Sequence, residues 1–393
     1  MAVLTETNGH APGGARPHIL HVITGLLIGG AENMLVRMVR ATRDEFRHTI
    51  VSIIDNGPLA AVARNLGADV NEIGMKRGAF PSPAKVMQLR RLIRNTKADA
   101  IQGWMYHGNA AASLFGKHAP VLWNVRHTLD DFSAETLTTR LAIKAAPHLR
   151  NQPQWIIYNA RSGAETHERF GFDKALRTII PNGFDTQYFQ PDAGVRARAR
   201  AALGFSDGDK VVGRLARNHP MKDHPTLFQA FRLILDQFPS AKLLLAGTGM
   251  SAESSGLAGL ARQYRVYDKT LFLGERSDVR DLMLSLDVML STSCRSEAFP
   301  NVIGEAMACG VPLAATDVGD TAWIISDAAL IAPAGEPAVL GAIAARLLSL
   351  PDEQRQQLGK VLRARIVEHF SISRVAAAYA DLWRSVIQPR AIA

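Results

Sequence analysis

Four ionisable residues define the chemistry open to this sequence. Glu297 and Glu305 stand with seven residues between them in the run Ser293-Cys294-Arg295-Ser296-Glu297-Ala298-Phe299-Pro300-Asn301-Val302-Ile303-Gly304-Glu305. Phe299, Pro300, Asn301 and Val302 read as a helix start, with proline near the first helical position. Glu297 then sits in the loop before the helix and Glu305 about one turn inside it. The first amides of such a helix, at the positive end of its dipole, make a seat for a phosphate or diphosphate. Two carboxylates beside that seat can accept the hydroxyls of a sugar and of a nucleotide ribose. The plainer alternative makes Glu297 a helix cap and Glu305 a surface residue.

Arg217 and Lys222 bring the opposite charge. In Val212-Gly213-Arg214-Leu215-Ala216-Arg217-Asn218-His219-Pro220-Met221-Lys222-Asp223-His224, a strand ends at Arg217, and Lys222 follows in a loop leading to a helix. A departing nucleoside diphosphate gains negative charge, and one fixed cation at 4 Å contributes about 4 kcal/mol at an effective dielectric of 20. Arginine grips a phosphate with two N–H groups, and lysine adds a compact charge. The alternative is a pair of solvated cations.

The elements that must position these residues alternate along the chain, twice over. Short apolar runs predict strands at 18–24, 48–54, 100–104, 121–126, 155–159 and 178–181, then at 210–215, 241–246, 270–273, 287–290 and 311–316. Amphipathic patterns predict helices at 31–42, 82–95, 161–170, 225–237, 302–308 and 371–387. Apolar runs without polar alternation suit strands buried on both faces, as in a parallel sheet covered by helices. The expectation is an α/β chain of two Rossmann-like, doubly wound domains facing across a cleft. Residues 1–16 read as a disordered lead-in, 17–190 as an N-terminal acceptor-binding domain and 191–370 as a C-terminal nucleotide-sugar-binding domain. Residues 371–393 read as a C-terminal helix packing back on the first domain. Pro191-Asp192-Ala193-Gly194 marks the seam.

Composition narrows the class. The chain has 393 residues, 47% hydrophobic and 21% charged, as in an ordinary globular protein. It contains no 18-residue apolar run. Two cysteines, Cys294 and Cys309, cannot build a disulfide framework or a metal cluster, so a reducing, cytoplasmic setting is expected. Most of the +9 net charge falls in the first half, and no acid interrupts the stretch between Glu72 and Asp99. That basic 76–97 stretch is either a solvated helix face or a surface that meets anionic phospholipid, at the inner face of the cell membrane, or an anionic lipid-linked acceptor. No nucleic-acid module is present.

Other signals are weaker. Thr24-Gly25-Leu26-Leu27-Ile28-Gly29-Gly30 and Ala246-Gly247-Thr248-Gly249 both follow strands, but neither has dinucleotide-fingerprint spacing, and no P-loop occurs. Each is a ligand contact or a tight turn. Asp207-Gly208-Asp209 is a literal D-x-D, yet its Ser-Asp-Gly-Asp setting reads as a turn, and no metal is expected.

Taken together, these motifs resemble family 4 of the retaining glycosyltransferases, which have the two-lobed GT-B fold. Glu297 to Glu305 looks like that family's E-x7-E motif, and the 216–227 segment is similar to its Arg…Lys diphosphate motif. Further echoes are Gly29-Gly30-Ala31-Glu32, Pro181-Asn182-Gly183-Phe184-Asp185 and Leu273-Gly274-Glu275-Arg276-Ser277-Asp278, in the family's order across about 18–387. The resemblance implies that Arg217 and Lys222 hold the donor diphosphate, helped by the amides of Phe299, Pro300, Asn301 and Val302. Glu305 would bind the ribose and Glu297 the donor sugar, while Gly274, Glu275 and Arg276 meet the base. Gly29 and Gly30 would let backbone approach the phosphates. On the acceptor side it implies His127, with His107 and Arg126 as further candidates, although many members read His-Asp where this chain reads Arg126-His127-Thr128. The implied activity is metal-independent transfer, with no cofactor, from a nucleotide sugar to a glycan or lipid-linked acceptor in cell-surface polysaccharide or lipopolysaccharide synthesis. A GT-B nucleotide-sugar epimerase and an inactive two-lobed binding protein are the rival readings.

Overall fold

The computed structural model describes residues 16–54, 57–76, 82–206, 208–253 and 256–388. Residues 1–15 of the expected lead-in, Arg77 of the basic stretch and Asp207 of the D-x-D lie outside the described residues.

The strands are β1 His18–Ile23, β2 Arg47–Ile54, β3 Asp69–Met75, β4 Ala100–Trp104, β5 Val121–Val125, β6 Trp155–Tyr158 and β7 Arg177–Ile179, then β8 Val211–Leu215, β9 Lys242–Ala246, β10 Thr270–Phe272, β11 Val288–Ser291, β12 Leu313–Thr316 and β13 Ile331–Ala332. They form a seven-stranded sheet in the order β3-β2-β1-β4-β5-β6-β7 and a six-stranded sheet in the order β10-β9-β8-β11-β12-β13. The registered pairs run parallel, for instance Leu20 opposite Thr49 and Leu290 opposite Ala314. Strands β1, β4, β5, β8 and β11 are buried along their whole length, which is why they are mostly apolar; the polar side chains they do carry, among them His21, Gln102, Asn124 and Arg214, are buried and hydrogen-bonded.

Eleven strands fall where the apolar runs predict them; β3 and β13 were not expected. Both lie at sheet edges. Strand β3 reads Asp-Val-Asn-Glu-Ile-Gly-Met and buries only Val70 and Ile73, so it lacks the unbroken apolar run used to find the others. Strand β13 has two residues. The expected seam at 191–194 is the start of helix Ala193–Ala202, where the Asp192 carboxylate accepts from Val195 N.

The chain divides into two compact units, one of residues 1–122, 150–153 and 383–393, the other of 123–149 and 154–382. In the first unit a polar chain runs through the core. Trp104 Nε1–H donates to His21 Nδ1 (3.2 Å), so His21 carries its proton on Nε2 and gives it to His48 Nδ1 (3.0 Å). His48 Nε2 then donates to Thr42 Oγ1 (3.0 Å), whose hydroxyl donates to the Met38 carbonyl (2.7 Å). Each link fixes the tautomer of the next. Trp383, from helix Ile372–Ile387, sets its ring against His21, Phe46 and His48 and donates Nε1–H to Gln102 Oε1 (2.7 Å).

In the second unit the core gathers around β8, β9, β11 and β12, with Phe228, Phe231, Leu340 and Leu347 packed onto them. Phe184 is fully buried and lies 6.2 Å, ring to ring, from Phe299. A Cβ on Gly304 would come within 2.1 Å of the Phe184 ring. Glycine at 304 therefore lets helix Asn301–Ala308 settle on Phe184, which is how the Pro181–Asp185 run acts on that helix.

Candidate functional site

The carboxyl end of β8 turns into a short 3-10 segment, Pro220–Lys222, and then helix His224–Gln237. His219 caps the segment by accepting from Met221 N (3.3 Å). Asp223 follows in the left-handed region (φ +49) and caps the helix, accepting from Thr226 N. Thr292 Oγ1 donates to the Lys222 carbonyl (2.7 Å), and Cys294 N donates to the Met221 carbonyl (2.9 Å). The Lys222 turn is thereby tied to the segment that follows β11.

That tie brings charge to charge. Lys222 Nζ donates to Glu297 Oε2, and Ser293 Oγ donates to the same oxygen at 3.0 Å. The side chains of Lys222 and Glu297 are only 13% and 16% exposed, which strengthens their attraction relative to a surface pair. Burial lowers the pKa of Lys222, while Glu297 opposes the shift. Arg217 is exposed, its guanidinium against Met221 Sδ (3.8 Å). Burial, then Arg217, Lys222 and Arg295, lower the pKa of His219, a sign of the positive field over this loop.

Backbone strain marks both partners. Asp223 follows Lys222, and Ser296 (φ +53) precedes Glu297; non-glycine residues rarely adopt this conformation. Gly319 (φ +60) lies so close to Glu297 that a Cβ would stand 1.6 Å from its carbonyl oxygen. Gly247 (φ +137) is likewise pressed on the Arg217 loop, a Cβ there meeting the Ala216 carbonyl oxygen at 2.0 Å. Its amide donates to the Gly274 carbonyl (2.7 Å), and Asn218 N donates to the Thr248 carbonyl (2.8 Å). The Gly247–Gly249 turn thus joins the Arg217 loop to the Gly274 loop. Beyond Gly274, Glu275 is exposed and Arg276 forks onto Asp278 at 2.8 and 2.5 Å.

Helix Asn301–Ala308 begins with Pro300 as its cap and no side-chain capping bond. Glu297 is therefore not the cap. The Phe299 ring packs against Phe184, Trp323 and Phe370, so only its backbone is left for a ligand. Asn301 Oδ1 accepts from Asn182 Nδ2 (2.5 Å), Val302 is half-buried, and Glu305 sits half-buried in mid-helix. Cys309 ends the helix, buried, its thiol pushed up to about 12 by burial, which makes it a packing residue.

His127 Nε2 pairs with Glu135 Oε1 at 3.0 Å. Arg126 donates to Asn124, Tyr379 and Asn182. His107 is half-buried in the first turn of helix Met105–Phe115. Gly29 caps helix Gly30–Thr42 from an extended conformation; a Cβ on it would come nearest the Glu32 carboxylate, and one on Gly30 would meet nothing within 4 Å. Asp209 closes its turn by accepting from Ser206 N (2.8 Å).

Residues 195–365 match the family model described as glycosyl transferases group 1, and residues 28–188 match that of glycosyltransferase family 4. The chain belongs to the family 4 glycosyltransferases. It is 28% identical over 226 residues to N-acetyl-alpha-D-glucosaminyl L-malate synthase of Bacillus anthracis, a match spanning 57% of each. It is also 28% identical over 219 residues to the lipopolysaccharide core biosynthesis mannosyltransferase LpsB of Rhizobium meliloti, spanning 54% of this chain and 61% of that one. The match thus spans a little over half the length of these relatives. The structure of HepE from Anabaena with UDP superposes with a TM-score of 0.80 at 20% identity, covering 94% of this chain and 100% of that one. The shared architecture is the GT-B fold.

In this family 4 glycosyltransferase, three residues at the site were missed by sequence reasoning. Arg214 is fully buried in β8 and donates to the Leu290 carbonyl (3.2 Å) and to Ser293 Oγ (3.4 Å). Its signal was present: a charged residue inside a run of apolar strand residues. Ser293 and Glu135 carried no signal, since each depends on which loop folds back beside it.

Proposed function

We propose that this chain is a retaining, metal-independent glycosyltransferase. It moves a sugar from a nucleotide-diphosphate sugar to a glycan or lipid-linked acceptor of cell-surface polysaccharide or lipopolysaccharide synthesis. The observation that carries this reading is the convergence of Lys222 and Glu297, with Arg217 on the same loop and an uncapped helix start four residues after Glu297. Cations and amides of this kind suit a diphosphate, and a carboxylate beside them suits a sugar hydroxyl. HepE crystallises with UDP and with UDP-glucose, which supports a nucleotide-sugar donor here.

In this reading Arg217, Lys222 and the amides of 299–302 hold the diphosphate, Glu305 the ribose, Glu297 the sugar and the 274–276 loop the base. Gly29 and Gly30 admit the donor phosphates, and His127, with Glu135 fixing its ring, contacts the acceptor. The bond from the anomeric carbon to the diphosphate oxygen breaks, the acceptor oxygen bonds to that carbon on the same face, and the acceptor proton passes to the diphosphate. Exposed Lys76, Arg90, Arg91, Arg94 and Lys97 suit contact with anionic lipid on the cytoplasmic side, whereas Lys85 is turned inward to the Ile73 carbonyl (2.5 Å). Among the described residues no helix is long and apolar enough to cross a membrane.

A thermal-shift screen against UDP-, GDP- and ADP-sugars identifies the donor, since ligand binding raises apparent stability. NMR of the product then reads the anomeric configuration. Retention is expected; inversion, or turnover of the donor to an epimer without acceptor, contradicts the proposal.

A further inference from the structure

A buried cation lies beneath the Lys222–Glu297 pair. Arg214 has no exposed surface, so it cannot touch a donor. Burying a guanidinium is costly unless its donors are used, and an aliphatic side chain in mid-strand would be cheaper. Its hydrogen bonds run toward the site. Nη1 donates to the Leu290 carbonyl at 3.2 Å and Nη2 to Ser293 Oγ at 3.4 Å. Arginine has only donors, so the serine hydroxyl accepts from it and has its own proton left to give. That proton goes to Glu297 Oε2 at 3.0 Å. Thr316 Oγ1 pins the serine from the other side by donating to the Ser293 carbonyl at 2.5 Å.

The other charged or titratable groups facing Arg214 are Asp223, Lys222 and His224. His224 is buried with neither ring nitrogen hydrogen-bonded to protein, and Arg214 Nε is likewise unpartnered. Of these groups Lys222 meets Glu297 directly, while the hydrogen bond by which Arg214 itself reaches that carboxylate runs through Ser293.

We propose that Arg214 is a positioning residue. Acting through Ser293, it commits Oε2 of Glu297 to the protein together with Lys222, and so presents Oε1 to the donor sugar. This rests on the reading of Glu297 as the sugar-binding carboxylate.

The test compares Ser293→Ala, Arg214→Met and Arg214→Lys in the full chain. The readouts are the crystal structure, calorimetric affinity for UDP and for UDP-glucose, and kcat with the donor found by the screen. Ser293→Ala and Arg214→Met are expected to swing Glu297 out of place and lower kcat about 10²-fold, the size of loss that follows a misplacement near 1 Å. UDP affinity should hold within about twofold, because the diphosphate contacts are elsewhere. Arg214→Lys, which keeps the charge but offers its donors from a single nitrogen, should recover part of kcat. Should Arg214→Met fail to fold, Ser293→Ala, with Arg214 intact, still decides the question. Glu297 unmoved and kcat unchanged in Ser293→Ala would overturn the proposal. Full transfer by Glu297→Gln would instead overturn the donor-site reading, while displacement of Glu297 in Ser293→Ala would still show the relay at work.

Discussion

The ammonium of Lys222 donates to a carboxylate oxygen of Glu297, 75 residues later in the chain. Both are tied in place: the Lys222 backbone carbonyl accepts from Thr292, and Ser293 holds the Glu297 carboxylate oxygen. In the proposed donor site, this pair would hold a cation for the diphosphate and an anion for the sugar at fixed positions before the ligand arrives. Such preorganisation spares reorganisation during the reaction.

Removing either partner should hurt transfer more than folding. Glu297→Gln and Lys222→Met are each expected to lower kcat/KM about 10²–10³-fold, comparable to loss of one preorganised electrostatic contact. The double variant should be scarcely worse than the weaker single, because residues acting as a unit are not additive. Steady-state kinetics on the three variants, with denaturation midpoints alongside, checks this.

The glycines divide into two kinds. Gly319→Ala forces a Cβ onto the Glu297 carbonyl from a left-handed backbone, so it should cost about 1–3 kcal/mol or more of stability and disable the site. Gly30→Ala meets open space and should leave stability unchanged within about 1 kcal/mol. If Gly30 admits the donor phosphates, that variant still loses donor affinity. Urea denaturation and donor titration of both variants separate packing from function.

Glu135→Ala should weaken acceptor use and spare donor binding. The Glu135 carboxylate orients the His127 ring at 3.0 Å, and neither residue belongs to the Lys222–Glu297 cluster. A fall in kcat of about tenfold or more with unchanged donor affinity is the expected pattern for a lost orienting partner of a general acid–base or polar contact. An equal loss of donor affinity would contradict it.

The histidine chain in the first unit predicts acid lability. Burial holds His48 at about 4 and His21 well below the ordinary histidine value, so both stay neutral in the folded state. The unfolded chain binds these protons near pH 6.5 and the folded one does not. Their contribution is therefore intact above about pH 6.5 and is lost as pH falls toward 4. Equilibrium unfolding at pH 7.5 and pH 5 should show the drop, and His48→Gln should be less stable at pH 7.5 but with a shallower pH dependence.

Strands buried on both faces declare themselves by apolar runs, so β8, β9 and β11 were legible, as were the helix starts at Ser82 and Pro300. Strand β3 was not, because an edge strand with Asn71, Glu72 and Gly74 has no such run. Glu297, Glu305, Arg217 and Lys222 were legible as candidates because their motifs are local. The Lys222–Glu297 bond itself was not, since it depends on Thr292 and Cys294 docking the two loops. Arg214 was visible as a charge in a strand, yet its target required the register of β8 beside β11.

Calorimetric titration of the screened nucleotide sugar, and of its nucleoside diphosphate, into wild type, Arg217→Ala and Lys222→Ala tests the donor site most directly. Loss of one charged hydrogen-bond contact is expected to weaken binding about tenfold or more for both ligands in each variant. Undiminished affinity in both variants would contradict the placement of the diphosphate at Arg217 and Lys222.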